Sequence, residues 1–263
     1  MKKIIGIFCL VLLLAGVILT AGCTSTDSAE NKTLLVYCGA GMKEPMDEIA
    51  EVFLEREGIQ VEYTYGGSAQ LLSQIELYQV GDAYMPGALS YIQSAIDKGF
   101  VDKSENVIYH VISIIVPIGN PANITTLEDL TEPGVRVAIG EPTGPAIGQG
   151  TMKMLEKDGL WDAVSANVVV KSATVNELLV YIAMGQADAA LVYEDLYNPE
   201  AMEIIDIPLD QGKVDIVPIG TLTFSENKEN AEKFMNFVAS DEGKAIFAEY
   251  GFETYPSALY GDL

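Results

Sequence analysis

The chain has 263 residues, with 38 Asp and Glu against 15 Lys and Arg, one histidine and three cysteines, for a formal net charge of −23. A field of that sign repels nucleic acid, whose binding rests on cations that neutralise phosphates, and excludes it as a partner. So few histidines and cysteines leave no Cys/His metal-ligand spacing and no Ser-His-Asp or Cys-His arrangement, so the chain is not expected to be an enzyme. Paired carboxylates are the one acid-base device that so acidic a sequence still offers.

Lys2 and Lys3 precede an apolar run from Ile4 to Leu19, and Thr20-Ala21-Gly22 then lead into Cys23. This is the layout of an export signal that ends in a lipobox. It predicts a signal peptide over residues 1–22, lipidation of Cys23 and a polar tether over residues 23–32. The folded part would then sit outside the cell's cytoplasm, held to the outer face of the cytoplasmic membrane by the lipid. The alternative is an uncleaved transmembrane helix, because about 18 apolar residues nearly span a bilayer. Cys9 falls in the signal and Cys38 stands alone in the folded part, so no internal disulfide is available and the core must hold the fold. Two sequons, at Asn31 and Asn123, would permit glycosylation.

From Thr33 onward, short apolar runs alternate with amphipathic stretches, the pattern of an α/β protein with largely parallel sheets. Leu34–Cys38 reads as a strand, followed by Gly39-Ala40-Gly41 and a helix with Pro45 in its first turn, Met46, Ile49 and Phe53 on one face, and Gly58 as its C-cap. The plan repeats with a strand from Ile59 to Tyr65, the turn Gly66-Gly67-Ser68 and a helix carrying Leu71, Leu72 and Ile75. The segment 82–89 and a helix over 90–98 lead to Val107–Ile118, an apolar stretch too long for an ordinary strand and suited to crossing between two lobes. A short helix at 127–130, a strand at 135–139, a Gly/Pro loop over 141–150 and a helix from Thr151 follow. Trp161 reads as packing a loop against a helix. A strand at 168–170, a helix at 175–184 and a strand at 189–193 come next. Val214–Leu222 is the second crossing candidate, and helices at 227–238 and 241–250 close the chain. Two crossing strands around a middle block imply two lobes, residues 33–112 with 220–263 and residues 113–219, with a cleft between them.

Glycine-rich turns at the C-terminal ends of parallel strands, each opening into a helix, direct free backbone N–H groups and the positive helix end to one place. The turns around Gly41, Ser68, Ile147 and Val175 are the candidates, and together they would trap an anion without a basic residue. Tyr193 ends a strand beside them. Any one of these turns taken alone is ordinary loop chemistry. His110, at the start of the first crossing strand, reads as structural, and Cys38 as a small buried strand residue.

Several separated stretches resemble the molybdate- and tungstate-binding components of ABC importers. They are Tyr37–Met46, Gly67–Leu71, Val137–Pro142, Ala189–Tyr193 and Ala245–Phe252, in that order and over nearly the whole of the mature chain. The resemblance implies a two-lobed type II periplasmic-binding-protein-like fold, each lobe a mostly parallel sheet flanked by helices and joined by two crossing strands. It also implies a tetrahedral oxyanion held by amides and hydroxyls rather than by direct metal ligation, no cofactor, a membrane permease as partner, and a monomer. By position, the donors fall on Gly41, Ser68, Ile147 and Val175, with the hydroxyl of Tyr193. Family members commonly carry serine where this chain has Gly41. The segment Asp82–Gly87 departs from the usual small polar run and would put Tyr84 and Met85 near the cleft edge. Pro145 stands where one subgroup has a metal-facing aspartate. The same fold with sulfate, phosphate or a small organic anion, or a sensory lipoprotein in place of a transport component, are the alternatives.

Overall fold

A computed structural model describes residues 33–261. The signal, Cys23, the tether and Asn31 lie outside the described residues. The chain opens with β1 (Thr33–Gly39), a 3-10 turn (Ala40–Met42), α1 (Lys43–Glu57), β2 (Gln60–Gly66) and α2 (Ser68–Tyr78). Gly58 ends α1 in the left-handed region at φ 68°, where its N–H reaches the Leu54 carbonyl, the role its position in the pattern suggested. Next come β3 (Ala83–Met85), α3 (Leu89–Asp97) and β4 (Val101–Pro117), which has 17 residues.

The middle block holds β5 (Val137–Gly140), α4 (Ala146–Lys157), α5 (Trp161–Ala166), β6 (Val168–Ser172), α6 (Val175–Ala183), β7 (Ala189–Tyr193) and β8 (Met202–Ile205). The chain then returns through β9 (Val214–Leu222) to α7 (Lys228–Val238) and α8 (Asp241–Glu249). The strands run in the order β2-β1-β3-β9-β4-β7-β5-β6, with β8 against β4. The outer pairs are parallel, β1 with β2 and β3, and β5 with β6 and β7. Every pairing of β4 and β9 is antiparallel.

The long strand β4 serves both ends of this array. Its first part, to Val111, pairs with β9, and from Ile112 onward it pairs with β7 and β8. The apolar core forms three clusters. Leu34, Met46, Phe53, Ile108, Val217, Phe234 and Phe247 pack in one, Ile112, Leu130, Ile139, Leu155, Leu178 and Leu191 in a second, and Tyr37, Leu71, Ile75, Tyr84, Ile92 and Leu222 in a third that Ala146 of α4 joins. Phe53 and Phe234 meet edge to face with centroids 5.1 Å apart, a geometry favoured by the ring quadrupoles.

Several details differ from the sequence reading, among them the start of β4 at Val101 and not Val107. Helix α4 starts at Ala146, five residues before Thr151, because Gly148 is a packing residue and not part of a loop. A Cβ there would lie 2.2 Å from the Glu141 carbonyl oxygen, so only glycine lets α4 press on the end of β5. Trp161 opens the short helix α5, and β8 is an additional strand. Tyr84 and Met85 are fully buried in β3, which lies between β1 and β9 in the sheet.

Candidate functional site

Strands β1, β2, β5 and β6 end at Gly39, Gly66, Gly140 and Ser172, and a helical segment follows each end. Parallel pairing within each group brings these C-terminal ends to a common edge. There the chain encloses a cavity of about 20 Å³ lined by Gly41, Ser68, Ile147, Val175 and Tyr193. All five residues selected from the sequence therefore meet at one place. A single water needs roughly 10–15 Å³, so the space suits a compact occupant. None of the lining residues is Lys, Arg, Asp or Glu.

The donors come from helix starts. Gly67, Pro145 and Thr174 are the N-caps of α2, α4 and α6, and none of them supplies a side-chain cap. Their first-turn N–H groups thus lack the usual side-chain acceptor while lying against the cavity. Among the described helices only α8 has a side-chain cap, from Ser240, whose hydroxyl accepts from the Gly243 N–H; α1, α3, α5 and α7 lack one too, so it is the position of the α2, α4 and α6 starts at the cavity that sets them apart. At the first turn the segment facing the cavity is the 3-10 turn at Ala40 and not the start of α1, and Gly41 offers only its backbone.

Ser68 is 2% exposed and held on two sides. Its hydroxyl oxygen accepts from the Gly87 N–H at 3.0 Å, and its carbonyl accepts from the Tyr84 hydroxyl at 2.8 Å. The hydroxyl proton of Ser68 is left for the cavity. The departure from small polar residues at Tyr84 thus acts on the site from beneath, by fixing the start of α2.

Tyr193 is 3% exposed and its hydroxyl has no partner. Burial pushes its pKa well up, with Asp215, Asp195 and Tyr91 adding to the effect, so it stays a neutral donor. Its ring stacks on His110, which also lines the cavity. Burial draws the His110 pKa down to about 4, against the opposing hydrogen bond to the Gly87 carbonyl. The sequence reading passed over His110, Gly87 and Thr174 as site residues. For Thr174, the signal was an N-cap residue before a helix; for Gly87, nothing local distinguishes it.

The cavity is closed by contacts between its two walls. Ala69 N–H and the Tyr91 hydroxyl both donate to the Gly144 carbonyl, at 3.2 and 2.9 Å, and Asn176 donates to the Ala40 carbonyl at 3.0 Å. Gly67 is required at the seam, since a Cβ there would lie 2.7 Å from the Ala173 carbonyl oxygen. At Gly41 a Cβ would come within 3.1 Å of Val175 and 3.4 Å of Leu196, which gives a physical reason for glycine where serine is common.

Residues 34–253 match the family model described as bacterial extracellular solute-binding protein. The chain belongs to this family. Among the relatives of this solute-binding protein, one from Haemophilus influenzae, named only as a binding protein, is 28% identical over 96% of the chain and 98% of the relative. YvgL of Bacillus subtilis, named as an ABC transporter substrate-binding lipoprotein, is 27% identical over 91% of the chain and 95% of the relative. The molybdate-binding protein of Mycobacterium bovis is 25% identical over 84% of each chain. Two solved structures share the fold. The sulfate-binding protein SubI of Mycobacterium tuberculosis superposes with a TM-score of 0.77 at 19% identity, covering 86% of this chain and 88% of the other. The periplasmic molybdate-binding protein of Azotobacter vinelandii gives 0.73 at 19%, covering 83% and 98%. The fold is thus that of the type II periplasmic binding proteins.

Proposed function

We propose that this solute-binding protein captures a compact tetrahedral oxyanion, molybdate or tungstate, and delivers it to the permease of an ABC importer while tethered through lipidated Cys23. The observation that carries the reading is the convergence of three helix starts without side-chain caps, at Ser68, Ile147 and Val175, on one small cavity that also holds the unpartnered Tyr193 hydroxyl. Such a site neutralises an anion with dipoles and polar hydrogens in place of formal charge. Hydrogen bonds to a charged group contribute about 1.5–3 kcal/mol each, so five would give a gross of about 7–15 kcal/mol, enough for micromolar binding after association costs. The net charge of −23 does not forbid this, because donors at about 3 Å outweigh carboxylates much farther away. The molybdate-binding and lipoprotein relatives support the choice of cargo and anchor.

Sulfate is the second reading, favoured by the fold shared with SubI. Calorimetric titration of residues 24–263 with molybdate, tungstate, sulfate, phosphate and chromate separates the two. One-to-one binding in which molybdate and tungstate displace sulfate is the expected result. Preference for sulfate would transfer the reading to the second cargo, and no binding of any of these ions would remove it.

A further inference from the structure

The cavity contains one group that does not match its donors. His110 is 1% exposed, and its Nδ1 lies 3.1 Å from the Gly87 carbonyl oxygen. A carbonyl only accepts, so Nδ1 carries the proton, and Nε2 of the neutral ring is left as a lone pair with no partner. The ring is fixed by that bond, by the stack on Tyr193 and by the Phe252 ring 5.9 Å away. Unlike the hydroxyls and amides around it, which can each offer a hydrogen, this nitrogen presents a bare lone pair, which opposes a fully ionised oxyanion. A proton entering with the anion removes the conflict.

We infer that His110 is a further ligand-contacting residue, and that capture of a fully ionised oxyanion brings one proton onto its Nε2, turning the lone acceptor into a charged donor. The inference rests on the oxyanion reading of the cavity. The empty site holds a neutral ring across neutral pH, since burial lowers its pKa to about 4. A dianion within about 4 Å raises the proton affinity of a neighbouring base by several orders of magnitude at the effective dielectric of a buried site. Proton and anion then bind cooperatively, and each strengthens the other.

The other titratable groups around the ring are accounted for. Tyr193 on β7 stays neutral, with its hydroxyl hydrogen available to the ligand. Asp215 faces His110 across the β4–β9 pair, but its Oδ1 is held by Lys213 at 2.7 Å. Asp195, two residues after Tyr193, is buried with both carboxylate oxygens unpartnered, and burial pushes its pKa well up. Tyr91 donates to the Gly144 carbonyl, and at Glu253, beside Phe252, the backbone carbonyl accepts from the Tyr109 N–H. Asp215 and Asp195 are the competing proton acceptors, since burial raises the pKa of each and each has a carboxylate oxygen with no partner, so uptake that survives in His110→Gln belongs to one of them.

The test is titration calorimetry with molybdate in buffers of different ionisation heat, between about pH 6 and about pH 8.5, on the wild-type protein, His110→Gln and Asp215→Asn. Wild type is expected to take up one proton per molybdate and to lose about tenfold in affinity per pH unit. In His110→Gln the uptake disappears and the affinity becomes independent of pH, while Asp215→Asn behaves as wild type. Molybdate binding by wild type with no proton uptake would overturn the inference and leave the oxyanion reading standing. Uptake that survives in His110→Gln would overturn it also. If no oxyanion binds at all, both fail together.

Discussion

The imidazole of His110 and the phenol ring of Tyr193 lie face to face, with centroids 3.9 Å apart and planes 19° from parallel. The two residues stand on adjacent antiparallel strands, β4 and β7, at the point where β4 changes partner. The pair thus ties the cavity floor to the strand shared by the core clusters.

Removing the Tyr193 hydroxyl separates binding from stability. In the empty protein that hydroxyl is buried without a partner, so Tyr193→Phe removes a desolvated group and is expected to leave the melting temperature unchanged or raise it. Molybdate affinity is expected to fall about 10–100-fold, the loss of one hydrogen bond to a charged ligand. Calorimetry and a thermal melt check both halves, and unchanged affinity would place the ligand elsewhere.

Gly67 offers a cleaner block of closure. Its φ of −72° and ψ of 143° suit any residue, so Gly67→Ala should fold normally. The added Cβ meets the Ala173 carbonyl oxygen at 2.7 Å, and backbone cannot yield as a side chain can. We expect molybdate affinity to drop by at least about 100-fold with little change in urea midpoint. At Gly41 the obstacle is softer. Gly41→Ser should bind more weakly than wild type, and Gly41→Ser with Val175→Ala should recover, because the nearest contact is the Val175 side chain at 3.1 Å.

Much of this was legible in the chain itself. Apolar periodicity placed β1, α1, β2, α2, α6, β7 and β9, since each buries one face and exposes the other or is buried throughout. The five turn and strand-end positions were legible because strand, glycine turn and helix recur in a fixed order. The start of α4 was hidden by Gly148 and Gly150, whose glycine reflects close packing against Glu141 and Asp215, contacts no local pattern encodes. Strand β8 escaped because one buried and three half-buried residues gain strand character only by pairing with β4. His110 looked like core because a lone histidine in an apolar run acquires its neighbours, Gly87 and Tyr193, from distant parts of the chain.

Stability should depend on pH through His110. The folded ring takes a proton at about 4 and the unfolded one near 6.5, so the unfolded chain binds more protons between those values. The contribution is full above about pH 6.5 and declines as the pH falls toward about 4, by about 3 kcal/mol in all. Asp215, Asp195 and Glu194 act in the opposite sense, because burial raises their pKa values and their contribution is lost as the pH rises. The observable is therefore the difference in urea unfolding between wild type and His110→Gln, and a difference that stays constant with pH would count against it.

Asp82 is the buried anchor of the chain's return. At 5% exposure it accepts from the Leu35 N–H at 2.8 Å, the Ser225 hydroxyl at 2.6 Å and the Asn227 side-chain amide at 3.2 Å, joining β1 to the segment before α7. Asp82→Ala leaves those donors unpaired and is expected to cost about 2–4 kcal/mol, read as a lower urea midpoint. A loss below about 0.5 kcal/mol would mean that water satisfies the donors as well as the carboxylate does.

The absence of Lys and Arg from the cavity lining, in a chain with 38 acidic residues, fixes how ionic strength acts on capture. In a site built on cations, added salt weakens the pull on an anion. On the oxyanion reading, the long-range force on the approaching anion is repulsive and salt-sensitive, while the short-range hold is buried and shielded from counterions. Raising the salt should therefore speed association and leave release nearly unchanged, so that brackish surroundings favour capture.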